Sequence, residues 1–383
     1  CHDPRDSFLA WHRAYIHAFE DIIREASGDA SWALPYWDWT QNRQIPVHFF
    51  GAGNELDTST WNDAAPNGQT TSARRLGPND TLSLNSVDLS RIVNQRNFAV
   101  FENRLNRGPH GSVHVSIGGH MGAFFSPLDP IFWVHHCNVD RLWEKWLETP
   151  GHANPSDAAW LNDEYASTFA DPQGNLITSV RAGSLLDAIG LGYVYDDATI
   201  QSVTVTGGGI SAERLFRAPL LTATNTIPST LNIPVEFNLT ATEEFSIPPT
   251  IVDKDLVRLG RVPRQVIARL TDISIPEDAE NYSIRVFLNC PYLNSDTPPE
   301  DPHYVAEISL FGLKDMKGMA GGTRQLDRDI IIDLTETLVA LNARRTPAKT
   351  ELNVQTIAVA NGLGAPSGVD FKIGRIEIAT TSR

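Results

Sequence analysis

Cysteine is scarce. Three residues (Cys1, Cys137 and Cys290) in a chain of 383 allow one disulfide at most, so disulfides are not the framework of this protein. No apolar run approaches the roughly 20 residues of a membrane-spanning helix. No block of consecutive basic residues stands out and the net charge is −15, which excludes nucleic acid as an expected partner. Signal-like segments and internal repeats are missing too. What remains is an ordinary globular composition, 41% hydrophobic and 20% charged, long enough for two domains of roughly 100–200 residues each. The unusual entries are 11 histidines and 9 tryptophans, most of them before residue 161. Residue 1 is Cys, and chemically rich sequence begins at once, as expected of a mature or clipped N-terminus with upstream residues missing. Three glycosylation triplets (Asn79, Asn238, Asn281) fit secretion but also arise by chance, and they set no compartment.

The first part of the chain reads as helices joined by long loops. Over residues 7–26, Phe8, His12, Tyr15, Phe19 and Ile23 recur at steps of three and four, while Arg13, Glu20, Asp21, Arg24 and Glu25 lie elsewhere on the wheel. Residues 40–95 are rich in Gly, Pro, Asn, Ser and Thr, an irregular excursion. A second helix is expected over 91–106. A third follows Asp129-Pro130, with Asp as cap and Pro in the first turn, and its apolar face runs Phe132, His136, Val139, Trp143 and Trp146.

Beyond residue 175 the texture becomes β-branched and partly alternating. Segments starting at Ser202, Ser283, Tyr304, Ile330, Leu352 and Phe371 read as strands of an antiparallel sandwich. The expected class is α+β: a mainly helical domain over 1–200, an extended Thr-, Pro- and Asn-rich linker over 201–255, and a β-rich domain over 256–383.

Histidine placement carries the chemistry. His110 and His114 stand four apart, so a helix puts them on one face, where two imidazoles can grip one metal ion. His136 lies on the aromatic face of its helix, as His12 does among Phe8, Tyr15 and Phe19. One inward histidine is usually a hydrogen-bonded core residue. Four of them are costly to bury unless something coordinates them. An all-nitrogen set suits copper or zinc, and spacing does not separate the two.

Taken together, Trp11-His-Arg-Ala-Tyr with Phe19-Glu20, Leu34-Pro-Tyr-Trp-Asp-Trp, His110-x-x-x-His114 and Ser126-Pro-x-Asp-Pro-x-Phe-Trp-x-His-His with Asp140-Arg-x-Trp143 resemble the type 3 copper proteins: tyrosinases, catechol oxidases and molluscan haemocyanins. The motifs cover about residues 1–195, and Gly192-Tyr-Val-Tyr resembles the tyrosine motif that closes the plant-type catalytic domain. The strand-rich tail is similar to the shielding domain of plant-type enzymes. The resemblance implies two copper ions held in a four-helix bundle, each by three histidines. The second copper would take His110, His114 and His136, with His135 pointing away as a hydrogen-bonded neighbour. The first would take His12 and His2, whose separation of ten residues is one more than usual in the family, and a third ligand upstream of this segment. Reducing O2 by two electrons takes two Cu(I) ions, one electron from each, and neutral imidazoles accept both oxidation states. Phe132 and Trp133 would keep the site dry.

The same resemblance gives meaning to neighbouring positions. The residue after the first ligand of the second copper, often Asn in monophenol hydroxylases, is Gly111. A Glu that often stands four residues before that ligand is replaced by Asn106, with Glu102 one turn earlier. The gate position falls on Ala123, an open entrance. Cys1 adjoins His2, unlike the spacing of the family's Cys–His thioether, so no thioether is expected, and Cys137 is expected to be a packed free thiol. The expected function is oxidation of o-diphenols by O2 to o-quinones, with a small phenol as partner. The alternatives are a tyrosinase that also hydroxylates monophenols and a haemocyanin-like oxygen carrier.

Overall fold

A computed structural model describes residues 7–58, 73–123, 125–197, 221–225, 229–239, 265–276, 282–311, 324–325, 329–342, 352–360 and 370–380. The chain divides into two compact units, Cys1–Ser211 and Ala212–Arg383.

In the N-terminal unit, α1 spans Phe8–Ser27 and ends at Gly28, whose left-handed φ of 70° lets its N–H close onto the Glu25 carbonyl. Helix α1 has no side-chain cap of its own, because the Ser7 hydroxyl is turned to Asp163 at 2.6 Å. Glu102 caps it from another helix, accepting the Leu9 N–H at 2.8 Å. That helix, α2, spans only Phe98–Leu105, because the Asn97 side chain caps it late by accepting from Val100 N–H. A π-type turn follows over Asn106–His110, where Gly108 leaves helical geometry (φ −94°, ψ −110°) and Pro109 offers no N–H. It re-aims the chain into α3, Gly111–Ile117. Helix α4 spans Ile131–Leu147 and is capped as the sequence indicates: Asp129 Oδ1 accepts the Ile131 N–H at 3.0 Å. Both Asp129 oxygens also hold buried Arg74, at 2.6 and 2.8 Å, which pins the long excursion to the start of α4. A single turn, α5, covers Ala158–Leu161.

The core between these helices is aromatic, with Trp39, Phe101, Phe132, Trp143, Trp146 and Tyr165 all but fully buried. Each such side chain contributes about 1.5–3 kcal/mol by leaving water. Arg13, expected on the outer face of α1, is instead fully buried: its guanidinium lies 3.9 Å from the Trp143 ring and pairs with Asp140 and Glu144, both at 2.6 Å. Hydropathy periodicity alone does not reveal an inward arginine whose partners come from a helix more than a hundred residues away.

Among the described residues, the C-terminal unit holds two antiparallel sheets and a helix. Its strands are β1 Leu221–Thr224, β2 Ser229–Thr230, β3 Val235–Leu239, β4 Val266–Ile275, β5 Tyr282–Leu288, β6 Tyr304–Ser309, β7 Arg324–Gln325, β8 Ile330–Asp333, β9 Leu352–Ala360 and β10 Asp370–Thr380, with α6 over Thr335–Asn342. One sheet runs β1-β10-β4-β7, with β2 also on β10 and β8 on β4; the other runs β3-β9-β5-β6. Their inner faces meet in one aliphatic core that includes Leu270, Ile284, Val286, Val354 and Ile376. The expected linker is corrected in part. Leu221–Thr224 and Val235–Leu239 are sheet strands, registered on Arg375–Ile378 and Leu352–Thr356. The strand expected at Ser202 lies outside the described residues.

Candidate metal centre

Three helices and the π-type turn bring five histidines together. His12 comes from α1, His110 from the end of the π-type turn, His114 from α3, and His135 and His136 from α4; all five are buried. One nitrogen from each of His110, His114, His135 and His136 lies within 4.8 Å of the others. His12 joins them from α1, its ring stacked on His136 at 4.2 Å and 7°, and 5.9 Å from the His110 ring.

Backbone carbonyls set the orientation of three rings. His12 Nδ1 lies 2.9 Å from the Phe8 carbonyl, His110 Nδ1 3.0 Å from that of Asn106, and His114 Nδ1 2.8 Å from that of Met121. A carbonyl only accepts, so each Nδ1 carries the proton and each Nε2 keeps its lone pair. Burial removes the charge from every ring. It pushes His12 and His114 down to about 3. His110, His135 and His136 fall well below 6.5, by burial first and mutual repulsion second. His114 Nε2 and His136 Nε2 stand 3.1 Å apart, the separation of two nitrogens that share one ion at about 2 Å each. The donor set therefore fits a late first-row metal: neutral imidazoles, buried, with no carboxylate or thiolate in the cluster among the described residues.

Two phenylalanines wall the cluster. Phe132 lies 4.1 Å from the His136 ring and 6.0 Å from His114, while Phe8 lies 4.6 Å from both His12 and His110. Phe132 therefore lies beside the cluster. Trp133 does not: it stacks on Phe19 at 3.6 Å and lies 5.0 Å from the Tyr15 ring, both of α1. Asn106 enters through its carbonyl rather than its side chain. Gly111 is buried as the first residue of α3 with ordinary helical φ and ψ, and Ala123 is a half-buried, extended loop residue. Cys1 and His2 lie outside the described residues. Cys137 is a buried free thiol.

One expectation holds in part: His135 is a hydrogen-bonded neighbour, through the Trp39 indole N–H. His135 does not point away; its ring lies in the cluster, parallel to His110 at 5.4 Å and edge-on to His114 at 4.8 Å. Adjacent residues on a helix diverge by about 100°, but a ring reaches far enough to rejoin the cluster from the side. Sequence reasoning also passed over Phe8 as a wall, the Met121 carbonyl, and Trp39, whose indole N–H reaches His135. Phe8 carried a signal, its spacing of four from His12. The carbonyl carried none.

The contact from Glu102 to Leu9 makes a direct test. Glu102→Ala removes the acceptor at the start of α1 and is expected to cost about 1 kcal/mol, read as a lower urea midpoint at unchanged m-value.

Comparison with known proteins follows the same lines. A family model described as the common central domain of tyrosinase matches residues 1–89 and 47–149. A tyrosinase from Hahella sp. (strain CCB-MM4) is 26% identical over 412 residues, covering 97% of this chain and 81% of that protein. A tyrosinase from Streptomyces glaucescens is 32% identical over 194 residues, 41% of this chain and 70% of that one. Among solved structures, latent apple tyrosinase has a similar fold, with a TM-score of 0.65 over 98% of this chain and 83% of that one at 19% identity.

Proposed function

We propose that this chain, which belongs to the tyrosinase family of type 3 copper proteins, is an o-diphenol oxidase that uses O2 to turn catechols into o-quinones with water as co-product. At the coarser level it is a copper-dependent oxidoreductase acting on phenols, with two copper ions as its cofactor. We assign His110, His114 and His136 to the second copper and His12, with His2, to the first, within a bundle formed by α1 to α4. When bound, the copper pair supplies reversible O2 binding and two-electron transfer. The protein supplies the rest. The Phe8, Asn106 and Met121 carbonyls hold three imidazoles with Nε2 directed inward, so little reorganisation is needed on metal uptake. Phe8 and Phe132 exclude water and offer an apolar wall to an aromatic ring.

The observation that carries the preference for diphenols is what stands beside His110. Asn106 replaces a carboxylate there, and Glu102, one turn earlier, has an oxygen committed to the Leu9 amide. A catechol needs less help to lose a proton than a monophenol does, so a site without a free base there favours the diphenol. Copper-loaded protein carrying its native N-terminus is expected to give quinone from catechol and little from a monophenol. Gly111→Asn, which introduces a polar side chain at a helical position beside His110, is expected to raise the monophenol-to-diphenol rate ratio. Equal turnover of both substrates by the wild type would overturn the preference. We also propose that the C-terminal unit restrains the site, as a shielding domain does. Limited proteolysis between the units then raises activity, whereas reversible oxygenation without turnover even after cleavage would make the protein a carrier.

A further inference from the structure

His135 and His136 are neighbours on α4 and both rings are buried in the cluster, but His136 Nδ1 has no hydrogen-bond partner among the described residues whereas His135 Nδ1 has one. The Trp39 indole N–H lies 3.1 Å from His135 Nδ1, and an indole nitrogen only donates. A neutral imidazole that accepts at Nδ1 carries its proton on Nε2 and has no lone pair left for a metal. His12, His110 and His114 are the reverse, each with Nδ1 on a carbonyl and Nε2 free to coordinate. Trp39 is fully buried, and its segment is tied to α4 one residue before His135 by the Trp37 N–H on the Val134 carbonyl at 2.9 Å. His135 Nε2 has no hydrogen-bond partner among the described residues.

We infer that Trp39 keeps His135 off the metal: by occupying the Nδ1 lone pair it reduces four clustered histidines to three ligands and leaves the ion an open position for O2 or substrate. The inference rests on the assignment of this cluster to copper. A fourth imidazole would fill a tetrahedral shell, the arrangement of structural rather than catalytic sites. Trp39 is therefore a positioning residue, acting on the metal through the tautomer of a non-ligand.

The test begins on metal-free wild-type protein labelled with 15N in histidine. Long-range proton–nitrogen correlations report which nitrogen of each ring is protonated, and the His135 signals are identified by their loss in His135→Gln. The expected result is Nε2–H for His135. A proton on Nδ1 of His135 overturns the proposal, and neither outcome depends on the folding of Trp39→Phe. Trp39→Phe then frees the tautomer. Copper loss to a competing chelator should slow by on the order of tenfold while turnover falls, and adding His135→Gln should restore wild-type retention. If Trp39 only packs, the signs reverse: copper leaves faster, the second substitution restores nothing, and the proposal fails. Wild-type protein that takes up no copper would sink the copper assignment instead, a result distinct from the tautomer measured without metal.

Discussion

Arg13→Met is expected to destabilise the N-terminal unit by about 3–5 kcal/mol, the cost of leaving a buried carboxylate without its cation. Asp140 is the group left behind. Its Oδ1 takes the Arg13 Nε–H at 2.6 Å, and its Oδ2 takes the Tyr193 and Tyr195 hydroxyls, both at 2.7 Å. Burial opposes the charge on Arg13, but Asp140 and Glu144 outweigh it and hold the guanidinium above its ordinary range. Burial, and then Asp140, push both tyrosines well above 10, so they remain donors at every working pH. Two hydroxyls do not neutralise a carboxylate. At roughly 2–4 °C per kcal/mol for a unit of this size, the melting temperature should fall by about 6–20 °C. Adding Asp140→Asn removes the orphaned charge and should recover part of the loss, since residues that share one network couple. A loss under about 1 kcal/mol in the single variant would show that the tyrosines satisfy Asp140 unaided.

That network also marks how far the sequence could be read. The tyrosine pair and Asp140-Arg-x-Trp143 were visible as motifs, but the meeting of Asp140 and Trp143 with Arg13 was not, because periodicity reports which face of α1 is apolar and not what an inward charge finds there. The histidines of α1, α3 and α4 were legible for a simple reason: a helix turns a spacing of four into a shared face, and the aromatic residues around His12 and His136 mark the inward side. His135 was misplaced because helix geometry directs the Cβ, whereas the ring position depends on a partner, Trp39, distant in sequence. Strands β5, β6, β8, β9 and β10 announced themselves by β-branched runs. Central strand β4 (Val266–Ile275), interrupted by Arg269, Thr271 and Asp272, did not, and short β1 and β3 were hidden in a Thr- and Pro-rich stretch that reads as linker. Their pairing is set by distant β9 and β10, information that no local window holds.

Acid should unfold the metal-free protein well before it unfolds the copper-loaded form, and the effect is large. His12 and His114 titrate near 6.5 when unfolded but only at about 3 when folded, chiefly because burial excludes the charged ring. Between those values the unfolded chain binds more protons than the folded one. The stability these rings contribute is therefore complete above about pH 6.5 and is lost as the pH falls toward 3. Each ring accounts for about 1.4 kcal/mol per pH unit. The two together cost about 7 kcal/mol by pH 4, within the whole stability of an ordinary domain. Copper on the Nε2 lone pairs competes with those protons, so loading should move the acid midpoint to lower pH. All nine tryptophans lie before residue 161, so their fluorescence follows the unfolding of the unit that holds the histidines. Urea titrations of metal-free protein at a series of pH values should give a slope of at least about 2.7 kcal/mol per unit between pH 6 and 4.5, and His114→Gln should lower it by about 1.4. A stability that stays flat across that range would mean that the rings accept protons within the fold, and that the cluster is wetter than its burial indicates.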